Sequence, residues 1–331
     1  MSEPTEGPRP GEDDAPIQTT GPSFLTEPPP ERDVRWVFLG PQGIRAGWSV
    51  LLFIGIFIGL FFTVMALVND LVRHGHTAGP PSSPRVAALN EGITFVVLVI
   101  ATWIMSRVEG KPLLAYGYQG KARGLRFASG LAWGFVAISA LVFSLDKLGY
   151  LAIDGRALGG AAALHYAVRW AAVFLLVGFF EESLMRGYLQ FTLTRGMGFW
   201  WGAILLSFVF GFGHGHKPRE SPVGLFAAGA IGLVFCLSLW YTGSLWWAVG
   251  FHAAWDWGES YFYGTADSGI VAQGHLLREH AVGPALWSGG TTGPEGSVLV
   301  FVLLALFAVL MALWWGKRGE KPFTGMGWRG R

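Results

Sequence analysis

The chain has 331 residues, of which 52% are hydrophobic, 15% aromatic and only 14% charged, with a net charge of +2. Soluble domains carry about 25% charged residues, so the composition excludes an ordinary soluble enzyme and points to a protein solvated by lipid. So small a net charge gives no reason to expect a nucleic-acid partner, and the single cysteine, Cys236, leaves no intrachain disulfide to form.

Taken in chain order, residues 1–34 are rich in Pro, Glu, Asp and Thr, too polar to bury a core, and read as a disordered tail with no signal-peptide pattern. Spanning the hydrocarbon takes about 20 apolar residues as helix. The segments 46–68, 86–106, 127–147, 166–194, 199–214, 222–241, 244–258 and 296–316 approach that length. The expected fold is therefore an all-α membrane protein, a polytopic bundle of about eight transmembrane helices. Trp48, Trp200, Trp201, Trp246, Trp247, Trp314 and Trp315 stand where apolar runs begin or end, as an interfacial aromatic belt would place them. The fifth and seventh segments are short and carry histidines, which suits helices that line a cavity inside the protein rather than face lipid. Gly55 and Gly59 form a GxxxG match, a pattern that marks either a dimer face or, more often in a Gly-rich polytopic chain, close packing within one subunit. Gly, Ser and Thr dominate the stretch 259–295, which reads as a loop without helix.

Basic residues set the orientation. Arg107, Lys111, Lys121, Arg123 and Arg126 in the loop 107–126 fall on the same side of eight spans as Lys317, Arg318, Lys321, Arg329 and Arg331 at the C-terminus. The positive-inside rule makes that side the cytoplasm and places both termini there; a plasma (inner) membrane is the expected location. Arg73, Arg85, Lys217 and Arg219 run against the bias. The lipid bilayer is one partner, and the sequence leaves the oligomeric state open.

Ionisable side chains in a spanning helix cost about 2.5–3.5 kcal/mol each, so those present need a reason. The fourth segment holds Glu181, Glu182 and Arg186, the fifth ends at His214, and the seventh holds His252 and Asp256. Residues four apart share a helix face, so Glu182 can pair with Arg186 and His252 with Asp256. Glu181, rotated by about 100° from its neighbour, has no local cation and must find a partner on another helix or hold a proton. Each feature has a structural reading: a packing ion pair, a satisfied buried acid, interfacial histidines at His214 and His216. Their coincidence in three late helices, with almost no charge midway through the first three, favours function. His74, His76, His165, His275 and His280 fall in predicted loops. At 1.5 Å per residue the predicted helix ends leave about 14 Å of axial offset between Glu181 and His214. A fourth helix reaching Thr194 and a fifth starting in the headgroups would remove it.

The ordered set Glu181, Glu182 and Arg186, then Phe210 and His214, then His252 and Asp256, each group in an apolar helix, resembles the CPBP intramembrane proteases. These include the type II CAAX prenyl endopeptidases and bacterial bacteriocin-processing and immunity-associated proteins. The resemblance implies a core over 125–258, preceded by the tail 1–34 and by two helices and a basic loop over 35–124. An outer loop, a last helix and a basic tail follow over 259–331. It implies hydrolysis of a peptide bond in a membrane-associated protein or peptide, with Glu181 and His214 activating water, His252 and Asp256 steadying the oxyanion, and Glu182 with Arg186 in support. Where the family pattern allows Asn, Asp256 is an acid that would repel an oxyanion if ionised, so its expected work is to orient His252. No cofactor is expected. Zinc held by His214, His252 and an acid is the alternative, although no HExxH is present. A non-catalytic scaffold or immunity-type protein using the same cavity, and a proton-coupled transporter, are the readings from other classes.

Overall fold

The computed structural model describes residues 33–41, 43–74, 80, 82–217 and 219–316. The sequence up to residue 32, His76, and the basic residues Lys317, Arg318, Lys321, Arg329 and Arg331 lie outside the described residues, and with them most of the predicted tail and the C-terminal half of the charge bias.

All the predicted apolar segments fold as helices: α1 (Ala46–His74), α2 (Pro84–Val108), α3 (Arg123–Lys147), α4 (Gly160–Met197), α5 (Phe199–Gly213), α6 (Pro222–Thr242), α7 (Trp246–Asp256) and α8 (Leu299–Trp315). Among the described residues, 5 helices, α1 to α4 and α6, are long and apolar enough to cross a membrane, and α8 is a shorter apolar helix. An all-α membrane protein results, the architecture in which each segment satisfies its own backbone away from water. Local signals set several ends. Ser83 and Ser221 cap α2 and α6, accepting from Val86 N at 3.4 Å and Gly224 N at 3.0 Å. Pro84 and Pro222 follow at a first-turn position where no N–H is needed. Gly243, left-handed at φ 63°, stops α6 and turns the chain into α7.

α7 is the central rod, buried at every residue from Trp247 to Asp256. α3 approaches it to backbone contact. A Cβ on Gly130 would stand 2.3 Å from Trp247 O, one on Gly134 2.2 Å from Phe251 O, and one on Gly250 2.4 Å from Phe127 O. Any larger residue there pushes the helices apart. Gly178 of α4 does the same beside α7, with Val249 O 3.0 Å from a virtual Cβ, and Gly211 of α5 meets Leu225 O of α6 at 2.5 Å. Trp247, Phe251, Phe235, Leu141 and Phe307 fill the core between these contacts. Gly55 and Gly59 have open space where a Cβ would stand. The expected close packing at that GxxxG is therefore absent within the chain, and the pair that performs it is Gly130 and Gly134.

At one end of the bundle, the basic end, the finish of α2 meets the finish of α4, where Arg195 Nη2 donates to Glu109 at 2.8 Å. Arg126 there reaches Thr242 O, also at 2.8 Å. At the far end β1 (Leu151–Arg156) pairs antiparallel with β2 (Leu277–Ala281), Leu151 opposite Ala281 and Arg156 opposite Leu277. The stretch 259–295 is more regular than its composition suggests. α7 continues through a π-helical turn, Trp257–Tyr263, because Trp257, Tyr261 and Phe262 pack onto Trp170 and Phe174 of α4. Gly264 (φ 75°) then ends it, and β2 and the single turn Ala285–Ser288 follow. Of the histidines expected in loops, His165 lies inside α4, which starts at Gly160, His280 lies in β2, and His74 ends α1; His275 is in a loop.

Candidate active site

Glu181 and Glu182 close the regular part of α4. Beyond them Ser183–Leu189 winds as a π-helix in which Gly187 leaves helical geometry (φ −83°, ψ −114°). π turns inside α-helices recur at functional sites. The turn follows directly after the two acids, and the i,i+4 pairing of Glu182 with Arg186 is kept through it.

That pair is buried completely, Nη1 to Oε1 at 3.1 Å with both side chains 0% exposed. The guanidinium lies 4.4 Å from the ring centre of Phe210 and 5.6 Å from that of Phe235, cation–π contacts from α5 and α6. Glu182 Oε1 also lies 3.0 Å from His252 Nδ1. The other ring nitrogen of His252, Nε2, faces Glu181 at 3.6 Å and Asp256 at 3.5 Å. One imidazole thus joins three carboxylates, two from α4 and one from its own helix, while Phe235 stacks on its face at 5.6 Å. The pairings read from spacing, Glu182 with Arg186 and His252 with Asp256, are both present. The link from Glu182 to His252 was not legible, because spacing along one helix says nothing about the rotation of the next.

Glu181 is the more open of the adjacent acids, its side chain 24% exposed against 0% for Glu182. With His214 it lines a cavity of about 160 Å³ between α4 and α5, walled by Phe180, Leu184, Val209 and Phe210. His216 and Lys217, from the turn after α5, line it too. His214 Nδ1 donates to Phe210 O at 2.8 Å, which leaves Nε2 of a neutral ring as an acceptor. The offset in depth between Glu181 and His214 disappears in the way the sequence allowed: α4 runs on to Met197 and α5 starts at Phe199, next to the exposed Trp200 and Trp201.

Several polar residues of this end escaped sequence reasoning. Glu259 is 0% exposed and accepts from Trp255 Nε1 at 2.9 Å. It sits three residues beyond Asp256, a spacing that would have marked it had the helix been extended through the π turn. Glu295 accepts from Ser268 N at 2.7 Å and Asp267 from Ser260 at 3.3 Å, closing the far-end loop over the helices. Glu91 of α2 lies within electrostatic reach of Glu181 and Lys217, so the first three helices are less free of charge than their sequences suggest. Among the described residues no three His, Cys, Asp or Glu side chains are arranged to hold a metal ion.

Residues 163–258 match the family model Rce1-like, described as Type II CAAX prenyl endopeptidase Rce1-like. No curated protein and no solved structure matches the chain. The matched segment runs from the first turns of α4 through α7 and carries every residue of the cluster around His252. What the match shows is a likeness of residues 163–258 to the type II CAAX prenyl endopeptidases of the CPBP/CAAX protease family.

Proposed function

We propose that this chain is an intramembrane endopeptidase that hydrolyses a peptide bond of a membrane-associated protein or peptide with a water activated by Glu181 and His214. The observation that carries the reading is a shared cavity: Glu181 and His214 line it together, and His252 stands 3.6 Å behind Glu181. Glu181 takes the proton as the water oxygen attacks the carbonyl carbon, and His214 Nε2 orients that water by accepting its second hydrogen. Both nitrogens of His252 meet carboxylate oxygens, an arrangement that a ring carrying both protons satisfies. As Glu181 takes the proton its hold on Nε2–H weakens, and that N–H then turns to the oxyanion as donor, while Glu182 fixes the ring from the other side. Asp256 supports His252 rather than the oxyanion. When the tetrahedral intermediate collapses, the C–N bond breaks and the proton on Glu181 passes to the leaving amine.

The reading places the cavity, with His214 and the far-end loop, on the side opposite the basic loop 107–126, and so away from the cytoplasm. It needs no metal. Membrane proteomes from cells expressing the wild type and Glu181→Ala, compared for new protein termini, identify the substrate. The purified protein is assayed on it alongside elemental analysis for zinc. Cleavage retained by Glu181→Gln rejects the mechanism, and stoichiometric zinc with chelator-sensitive activity replaces it with the metal-dependent one.

A further inference from the structure

The cluster around His252 rests on α6, a helix that contributes none of the proposed catalytic groups. Of the Arg186 nitrogens, only Nη1 meets a carboxylate; Nε and Nη2 are buried with no oxygen acceptor within hydrogen-bond reach among the described residues, and the nearby Cys236 thiol is at most a weak acceptor. Hydrogen bonds therefore do not fix the outer edge of the guanidinium, and packing must. Phe210 and Phe235 approach it by their rings. At the Nη2 edge stands Gly232 of α6. A Cβ built there would lie 2.4 Å from Arg186 Nη2, closer than real carbon contacts come, and 3.1 Å from Ser207 Oγ of α5. Gly232 has ordinary helical geometry, so backbone conformation does not demand a glycine at that position. The space does.

We infer that Gly232, with Ser207 beside it, is the seat of Arg186 and a positioning residue for the reaction, acting through Arg186 and Glu182 on the ring of His252. The sequence of contacts is short. The seat admits Nη2, Nη1 then meets Glu182 Oε1 at 3.1 Å, and the same oxygen meets His252 Nδ1 at 3.0 Å. A methyl at 232 drives a wholly buried guanidinium toward Glu182 with no solvent to retreat into, and the displaced carboxylate carries the imidazole with it. Misplacement of a reacting group by about 1 Å can cost about 100-fold in rate. Gly232 does not line the cavity shared by Glu181 and His214, so the loss should fall on kcat and leave KM nearly unchanged.

The inference rests on the peptidase reading for its kinetic arm but not for its structural one. Gly232→Ala is made alone and in the Arg186→Lys background, where the side chain keeps a charge but lacks the second fork nitrogen. Gly55→Ala, with open space around it, is the control for a glycine change in a membrane helix. Cleavage is measured, and the ¹⁵N shifts of the His252 ring are recorded in labelled protein. Gly232→Ala should lower kcat by about 100-fold and move the His252 resonances, with a loss of less than about threefold when added to Arg186→Lys. Gly55→Ala should do neither. Equal losses in both backgrounds, or unmoved His252 shifts in folded Gly232→Ala, overturn the seat. If Gly232→Ala does not fold, recovery of folding in the Arg186→Lys background supports the seat, and failure to recover overturns it. Should Glu181→Gln retain cleavage, the peptidase reading falls, while the His252 shifts still decide on Gly232.

Discussion

α4 carries two charged clusters, and they differ in how completely they are satisfied. At the basic end Glu109 accepts from Arg195 at 2.8 Å, Tyr188 at 2.9 Å and Tyr116 at 3.1 Å, with Lys111 3.3 Å away. Near its middle, Glu181 turns toward a cavity, and Glu182 Oε2 is buried without a hydrogen bond among the described residues. Both clusters tie α4 to other helices. A carboxylate whose lone pairs are all occupied is a clamp, whereas one left open beside a cavity can take a proton from a bound water.

The sharpest test of that contrast is the loss of one carboxylate charge in each cluster. Glu181→Gln should cut kcat by about 10³-fold, in the range of general-base contributions, with thermal stability near the wild type because the side chain is partly open. Glu182→Gln should lower kcat by about 10- to 100-fold and also lower the melting temperature, because it breaks the wholly buried pair with Arg186; it is Glu181→Gln that separates rate from stability. Glu109→Gln should do the reverse. Removing one partner of a buried pair costs about 3–5 kcal/mol, so detergent-solubilised protein should melt earlier while the cleavage rate of the folded fraction stays unchanged. If Glu109→Gln abolishes cleavage in folded protein, the division into clamp and reactive cluster fails.

Acidity gives the clamp a second test. Burial pushes the Glu109 carboxyl up, but the charges of Arg195 and Lys111 and the hydrogen bond from Tyr188 outweigh it and hold the group below its ordinary value. A depressed carboxyl stabilises the fold above its unfolded pKa, and that contribution is lost as pH falls through the folded one. Melting temperature should therefore drop on acidification below about pH 4.5, and less so in Glu109→Gln. The smallest effect is expected in the far-end strand pair, where burial, with a further contribution from Asp154 set against His280, pushes Glu279 up to about 7. A raised carboxyl has the opposite sign: the native state holds the extra proton, so stability falls as pH rises from about 4.5 to 7. Glu279→Gln should flatten that slope, and an unchanged slope removes Glu279 as its source.

Much of the helical plan was legible because apolar length is a direct requirement of lipid, and the pairs within one helix were legible because residues four apart share a face. What joins helices was not. Glu182 reaches His252 because Gly178 brings α4 against the backbone of α7, and no spacing in the sequence announces which glycine meets which partner. The GxxxG at Gly55 shows the converse, a motif whose surroundings are open. Glu259 was missed because the π turn keeps Trp257–Tyr263 helical where the composition suggested a loop.

The enclosure of α7 has a consequence for biogenesis. The α-helical part, Trp246–Asp256, has 11 residues, about 16 Å, and even with the π turn Trp257–Tyr263 that continues it its polar face has nowhere to go until α3 and α4 have formed a sleeve. On the proposed mechanism, His252 then meets Glu181 and Glu182 only after its neighbours are in place. A chain truncated before Trp246 should insert its earlier helices yet show no hydrolytic competence, and adding the missing segment in trans should not restore it unless the sleeve can reopen.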